Sequence, residues 1–146
     1  MKVTIHASLD FRDELISAKR ILEQHGIEVV LPDLTPYQHI RDENGDEESF
    51  TAIKHRLTRE NMLNIRRSDC VLILNYDHRG VKNYVGGNSF VEMVIAFYLG
   101  RTIYLLNDVP EGMPYSEEMK AFYPIVIRSI EGFSEIASQQ REDRSP

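Results

Sequence analysis

Short apolar stretches alternate with longer amphipathic ones along this chain. Residues 3–7 (VTIHA) and 28–31 (EVVL) are rich in β-branched side chains, and residues 69–75 (DCVLILN) are apolar at almost every position. Residues 102–106 and 125–127 have the same character. Apolar runs of this length, bounded by polar residues, glycine or proline, are typical of strands that are covered on both faces. The pattern therefore predicts five buried strands.

Between these runs, apolar residues recur every three or four positions, which is the spacing of one face of a helix. The stretches predicted to be helical are residues 11–24, 48–67, 89–99, 116–122 and 133–139. Gly26 is a candidate for the left-handed residue that follows the first helix. Ser116 is a candidate N-cap for the fourth helix.

Residues 35–49 break the alternation because they are polar and acidic. Residues 35–38 (TPYQ) have the form of a capping box with proline at the first helical position, and Asn44-Gly45 is typical of a turn. A solvated surface loop is the simpler interpretation of this segment. A lid over a bound ligand is the alternative.

Strands that alternate with helices are typical of a parallel sheet with helices on both faces. Right-handed crossover connections leave few arrangements of such a sheet. We therefore predict a three-layer α/β fold of the flavodoxin-like or Rossmann-like type, with a five-stranded parallel sheet in the order 2-1-3-4-5. One domain is expected over residues 1–140, and residues 141–146 are expected to fray.

Composition narrows the range of functions. Hydrophobic residues make up 42% of the 146 residues and charged residues 27%, as in an ordinary soluble domain. The net charge of −6 argues against a basic face for duplex nucleic acid, although a helix N-terminus can still bind a small anion. The single cysteine, the polar N-terminal segment and the lack of an apolar run of about 20 residues predict a cytoplasmic protein without disulfide, signal peptide or membrane span.

Several ligand-binding classes that use this architecture lack their motifs here. Residues 6–8 (HAS) supply no acidic pair of a response-regulator receiver. Residues 8–13 (SLDFRD) are not a Ser/Thr/Gly-rich phosphate loop, and a G-x-G-x-x-G fingerprint is also missing there. The chain has no Walker A lysine motif, and its five histidines show no metal-binding spacing. No cofactor and no metal are therefore expected.

In open parallel sheets, ligands bind beyond the carboxyl ends of the strands, at the point where the strand order reverses. In the predicted order, this point lies at the ends of the first and third strands. The residues that the sequence brings there are His6, Ser8, Asp10, Asn75, Asp77, Lys82, Tyr84, Gly86, Gly87, Asn88, Ser89 and Glu92. We expect the ligand-binding site among them.

Some candidate residues have two interpretations each. Asn61 interrupts the apolar stripe of the helix predicted at residues 48–67, so it either bonds core backbone or reaches a ligand. His6 is either a core histidine or a ligand contact. Tyr84 either stacks on a base or packs on its own surface, and Lys82 either contacts the ligand or is a solvated charge.

Glu92 also has two interpretations. Residues 89–92 (SFVE) fit a capping box, with Ser89 as the N-cap and Glu92 as the third helical residue. The two glycines before it give more flexibility than a cap requires, and glycine lets backbone approach a ligand closely. The loop before the helix also carries more hydrogen-bonding groups than a short connection needs. These residues alone are consistent with both roles of Glu92, as a helix cap and as a reactive group.

Four segments occur in an order that resembles a known family. Residues 26–32 (GIEVVLP) have the form G-x-x-V-x-x-P, and residues 69–77 (DCVLILNYD) form a strand followed by an aspartate. Residues 87–92 (GNSFVE) place glycine, serine and glutamate at a helix start, and residues 96–103 add a helix end, a glycine and a strand. In these features, residues 1–106 resemble the nucleoside 2-deoxyribosyltransferase family and its relatives, the deoxynucleoside monophosphate N-glycosidases.

The resemblance implies that Glu92 is a nucleophile. In that family, a glutamate attacks the anomeric carbon of the sugar and forms a covalent glycosyl-enzyme, which a second base or water then resolves, as in retaining glycosidases. Ser89 and nearby backbone N–H groups would bind a sugar hydroxyl or a phosphate. Asn61, Asp77 and Ser8 would position the substrate.

Two positions depart from the family. Asn61 stands where the family often has an aspartate that helps to protonate the leaving base, and an amide cannot act as an acid. Asp77 and Asp10 are candidate substitutes for that acid. Asp10 itself lies where phosphate-binding members have a basic residue, so cations such as Arg79 and Lys82 would have to offset its repulsion of a phosphate.

The leading hypothesis is an enzyme that cleaves or transfers at the N-glycosidic bond of a nucleoside or nucleotide. The alternative is a non-catalytic nucleotide-binding or sensing module in which Glu92 caps the helix and accepts a hydrogen bond from a ribose hydroxyl. The helix predicted at residues 89–99 is apolar almost all round, which is more than one sheet face can bury. A homodimer or larger homo-oligomer that forms through this helix is therefore expected.

Overall fold

The computed structural model describes residues 1–35 and 46–144. The strands are β1 Lys2–His6, β2 Glu28–Val30, β3 Cys70–Ile73, β4 Thr102–Leu105 and β5 Ile125–Val126. The helices are α1 Arg12–Gln24, α2 Glu47–Arg66, α3 Gly87–Tyr98, α4 Ser116–Ala121 and α5 Ile130–Arg144, and a 3-10 helix, Leu9–Phe11, precedes α1. The predicted strands are confirmed. The capping box and the acidic loop predicted after Thr35 lie for the most part outside the described residues.

The described strands form one parallel sheet in the order β2-β1-β3-β4-β5, which confirms the predicted fold class. β1 and β3 are neighbours, with Val3 beside Cys70 and His6 beside Ile73. β2 lies on one side of β1, and β3, β4 and β5 follow in that order on the other side. The strand order therefore reverses between β1 and β3, whose carboxyl ends lie side by side where such sheets bind ligands.

The alternation of side chains along β1 decides which helices they meet. Val3 and Ile5 belong to the core cluster that also contains buried residues of α1 and α5. Thr4 and His6 point to the opposite face of the sheet, where α2 and α3 pack. The Thr4 hydroxyl lies 2.6 Å from Ser68 Oγ, just beyond the end of α2. The same alternation places the His6 side chain beneath α2 and α3.

One helix terminus differs from the prediction, and one is confirmed. Ser116 is the first residue of α4 and not its N-cap, and its hydroxyl donates a hydrogen bond to the Pro110 carbonyl at 2.7 Å. Residues 141–144 continue α5, and Arg141 donates a hydrogen bond to the Gly26 carbonyl, which ties the last turn of α5 to the loop after α1. Gly26 adopts the predicted left-handed conformation, with φ of 75°.

The reactivity of the Cys70 thiol tests whether strand β3 is buried. The side chain is buried in β3, and desolvation raises the pKa of its thiol from 9.0 to about 12. The thiolate is the reactive form of cysteine. We therefore expect Cys70 in the native protein to be inert to a chromogenic thiol reagent near neutral pH and to react fully after denaturation. Rapid labelling of the native protein would contradict the burial of β3.

Candidate active site

A cavity of about 610 Å³ opens at the carboxyl ends of β1 and β3. Its walls come from the segment after β1, from the segment after β2, from α2, from the loop after β3 and from the first turns of α3. The lining residues are His6, Ala7, Ser8, Leu9, Asp10, Pro32, Asp33, Lys54, Leu57, Asn61, Arg79, Tyr84, Gly86, Gly87, Asn88, Ser89 and Glu92. Most of the candidate residues from the sequence thus surround one space.

Glu92 does not cap α3. The helix begins at Gly87 with Gly86 as its N-cap, because the Phe90 N–H bonds the Gly86 carbonyl at 2.9 Å and starts the helical ladder there. Glu92 therefore lies in the second turn, and the capping-box interpretation with Ser89 as the N-cap is wrong. The Glu92 residue is 8% exposed and contributes to the cavity wall.

Each carboxylate oxygen of Glu92 has a neighbour from a different element. The Asn61 side-chain amide, on α2, donates a hydrogen bond to Oε1 at 3.4 Å. The His6 Nδ1 atom, at the end of β1, lies 2.9 Å from Oε2. Because a buried carboxylate is costly without polar partners, these two contacts hold an otherwise unfavourable group in the cavity wall.

The contact with Glu92 explains why a polar residue, Asn61, interrupts the apolar face of α2. Asn61 does not bond to core backbone; its amide faces Glu92 across the space between α2 and α3. Lys54 lies seven residues before Asn61 on the same helix, which is two turns away and so on the same face. The helical spacing could have identified Lys54 as a site residue, but the sequence analysis missed it.

Charged groups of both signs surround the mouth of the cavity. Asp10 lies 2.9 Å from the His78 Nε2 atom, so its charge has a partner from the loop after β3. Asp33 was missed by the sequence analysis; the backbone N–H of Thr35 bonds its carboxylate at 2.8 Å and lowers the pKa of that carboxyl group. Arg79 also lines the cavity. A ligand with an anionic group would therefore meet positive as well as negative charge.

Tyr84 owes its place in the cavity wall to the neighbouring glycine. A Cβ atom at Gly86 would lie only 3.2 Å from the ring of Tyr84, whereas one at Gly87 would have no neighbour within 4 Å. The ring also contacts His78 edge-on, with centroids 5.3 Å apart. Gly86 thus leaves room for the close approach of an aromatic ring to the start of α3.

Three candidate residues lie away from this cavity. Asn75 is fully buried, and its side chain bonds the backbone of Asn107 and Asp108 and so joins the ends of β3 and β4. Asp77 accepts a hydrogen bond from the Asn83 N–H at 2.8 Å, which folds the loop on itself. Lys82 is exposed and lines a separate depression.

Two kinds of feature are not found in residues 1–35 and 46–144. No group of three or more His, Cys, Asp or Glu side chains there is arranged to hold a metal ion. No helix there has both the length and the hydropathy that a membrane span requires.

A search of solved structures matches this chain to two enzymes. A CMP N-glycosidase from Clostridium botulinum, BcmB, has a TM-score of 0.55 and 12% identity, over 94% of this chain and 99% of that one. A 2-deoxyribosyltransferase from Bacillus psychrosaccharolyticus has a TM-score of 0.47 and 17% identity, over 72% of this chain and 71% of the other. No protein-family model and no curated protein sequence matches this chain. At this identity, the likeness to the CMP N-glycosidase shows a shared fold.

Proposed function

We propose that this chain is an enzyme that acts on the N-glycosidic bond of a nucleoside or nucleotide, by transfer or hydrolysis, with Glu92 as the nucleophile. The position of Glu92 carries this proposal. Its carboxylate is buried in the cavity wall, where Asn61 and His6 contact it. It does not cap the helix. The shared fold with a CMP N-glycosidase supports the class of reaction.

The reaction would take place in two displacements at C1 of the sugar. In the first, a lone pair of the Glu92 carboxylate bonds to C1, and the C1–N bond breaks with its electron pair on the base, which gains a proton. In the second, the oxygen of water bonds to C1, the ester bond returns its electron pair to Glu92, and the water proton is released. In transfer, the nitrogen of a second base replaces water.

The cavity suits a ligand of this size and polarity. Its volume of about 610 Å³ falls within the range of about 300–1,000 Å³ that is usual for small-molecule sites. Tyr84 offers a ring on which a base can stack. Ser89 and the backbone N–H groups of the first turn of α3 would bind a sugar hydroxyl or a phosphate. Ser8 and Asn88 add further hydrogen-bonding groups to the cavity lining.

The acid that protonates the leaving base is assigned to Asp10 or to solvent. Asn61 has no acidic proton, and Asp77 is engaged with Asn83 outside the cavity. Asp10 lines the cavity and lies 2.9 Å from His78 Nε2. Asn61 would then bind the base or sugar through its amide while it contacts Glu92.

A direct assay tests the proposed activity. The protein is incubated with each deoxynucleoside and each monophosphate, and free base is separated by chromatography. We expect at least one substrate to yield free base, and to yield an exchanged nucleoside when a second base is present. If no compound releases base but a nucleotide raises the melting temperature, the chain is a non-catalytic binding module and the proposed activity is wrong.

We also propose that the chain forms a homodimer or larger homo-oligomer through α3. Several large side chains on this helix are exposed, including Val91 (43%), Phe97 (54%) and Tyr98 (84%). An apolar groove of about 400 Å³ between α2 and α3 joins this surface to Glu92. Exposed large apolar side chains on one helix are typical of an interface between subunits.

The oligomer depends on the apolar surface of α3. We expect Phe97→Glu to dissociate the oligomer, because a charge would have to be desolvated at the interface. Ile16→Glu is the matched control, since Ile16 is exposed to a similar degree (45%) on α1, across the sheet. Sedimentation velocity measures the outcome. A monomeric wild-type protein, or equal dissociation by both variants, would contradict an interface on α3.

A further inference from the structure

His6 is the most deeply buried polar side chain in contact with the reactive group. The residue is 1% exposed, and its Nδ1 atom lies 2.9 Å from Glu92 Oε2. Neither ring nitrogen makes a hydrogen bond of favourable geometry with the described residues. A buried polar group without partners costs about 1–3 kcal/mol, so a ring of similar shape without nitrogens would be the more stable choice at this position.

The contact with Glu92 fixes where a proton lies on the ring. A carboxylate oxygen can only accept a hydrogen bond, and a bare Nδ1 lone pair at 2.9 Å would repel it. Nδ1 therefore carries a proton, both in the neutral ring and in the imidazolium. In either form, the ring places a protonated nitrogen 2.9 Å from Oε2.

The two carboxylate oxygens of Glu92 have polar neighbours at different distances. Oε2 lies 2.9 Å from His6, whereas the Asn61 amide is 3.4 Å from Oε1, close to the limit for a hydrogen bond. The closer contact restrains Oε2 more than the longer contact restrains Oε1. The lone pairs of Oε1 are therefore the more available for bond formation.

We propose that His6 is a positioning residue for Glu92, an inference that rests on the proposed function. The protonated Nδ1 attracts Oε2 across the 2.9 Å contact, restrains that oxygen and so directs Oε1 at C1 of the sugar. In the first displacement, Oε1 bonds to C1 and the base leaves with the electron pair of the C1–N bond. The proton stays on Nδ1 throughout, and in the glycosyl-enzyme Nδ1 remains beside Oε2, which has become the ester carbonyl oxygen.

Two substitutions separate positioning from packing. His6→Asn keeps an N–H donor near the place of Nδ1, whereas His6→Leu keeps bulk without a donor. Thr4→Val is the matched control, because Thr4 is buried on the same face of β1 and its hydroxyl contacts Ser68 and not Glu92. All three variants are compared with the wild-type protein by melting temperature before activity is measured.

The expected result is a change in kcat with little change in KM. His6→Leu should lower kcat by about 100-fold, since misplacement of a reacting group by about 1 Å has an effect of that size. His6→Asn should recover most of this loss, and Thr4→Val should leave kcat unchanged. Wild-type kcat in folded His6→Leu, or equal losses in the Leu and Asn variants, would overturn the proposal.

A second measurement does not depend on activity. Nitrogen-15 NMR of the ring reports which nitrogen of His6 carries a proton. We expect a protonated Nδ1 in the wild-type protein, as neutral ring or imidazolium, and loss of this preference in Glu92→Leu. A proton on Nε2 alone in the wild-type protein would overturn the role of His6 even if base is released. A protonated Nδ1 without any base release would instead leave the contact intact and show that the proposed function has failed.

Discussion

Replacement of Glu92 by glutamine should slow base release by about 10⁴-fold or more, the scale of loss seen when a nucleophile is removed from an enzyme that forms a covalent intermediate. The amide oxygen of glutamine is a far weaker nucleophile than a carboxylate, while the shape of the side chain is kept. Because Glu92 does not cap α3, we expect the melting temperature to change little. Base release under single-turnover conditions measures the effect.

Glu60→Gln is the control for this experiment. Glu60 is exposed on α2 and pairs with Arg56 at 3.1 Å on the helix surface, so the same chemical change there should leave activity unaltered. Wild-type activity in Glu92→Gln would contradict the nucleophilic role. A large loss of stability with activity intact would show that the carboxylate serves the fold.

Replacement of Phe133 by alanine should have the largest effect on stability. Phe133 is fully buried in α5, and its ring meets that of Tyr104 on β4 edge-on, with centroids 5.1 Å apart. Loss of a buried phenylalanine costs about 3–5 kcal/mol, because a cavity adds to the lost hydrophobic burial. We expect the whole chain to unfold at a lower urea concentration in one transition, as measured by circular dichroism and tyrosine fluorescence together.

Glu135→Ala on the same helix is the matched control. Glu135 is exposed, and alanine is a better helix former, so stability should change by less than about 0.5 kcal/mol. If Phe133→Ala instead produced two separate transitions, α5 would be a unit that folds independently of the sheet. A single transition would support one cooperative domain that includes the last helix.

The sheet was predictable because its signals are local and repeated. The apolar runs gave the strands, and their alternation with helices left few parallel topologies. The position of the cavity followed from the strand order, because His6 and Glu92 come from the two elements on either side of the reversal. The side on which His6 lies also follows from the period of two along β1.

The errors have non-local causes. The S-x-x-E pattern predicted an N-cap at Ser89, but the helix begins at Gly87. The pattern alone does not distinguish between these two starting positions. The sequence pattern also did not show that the side-chain amide of Asn75, a predicted ligand contact, pairs with Asn107, 32 residues away in the chain. Asp33 reaches the cavity only because β2 lies beside β1. Such pairings depend on tertiary contacts that local sequence patterns do not encode.

The most direct test of the account is mass spectrometry of the wild-type protein after a reaction has been stopped by rapid denaturation. Digestion should give a peptide containing Glu92 whose mass is increased by that of the bound sugar, and fragmentation should place the sugar on the Glu92 side chain. The adduct should disappear when water or a second base has time to react. A sugar attached to another residue, or base release with inverted configuration at C1, would contradict a nucleophilic Glu92.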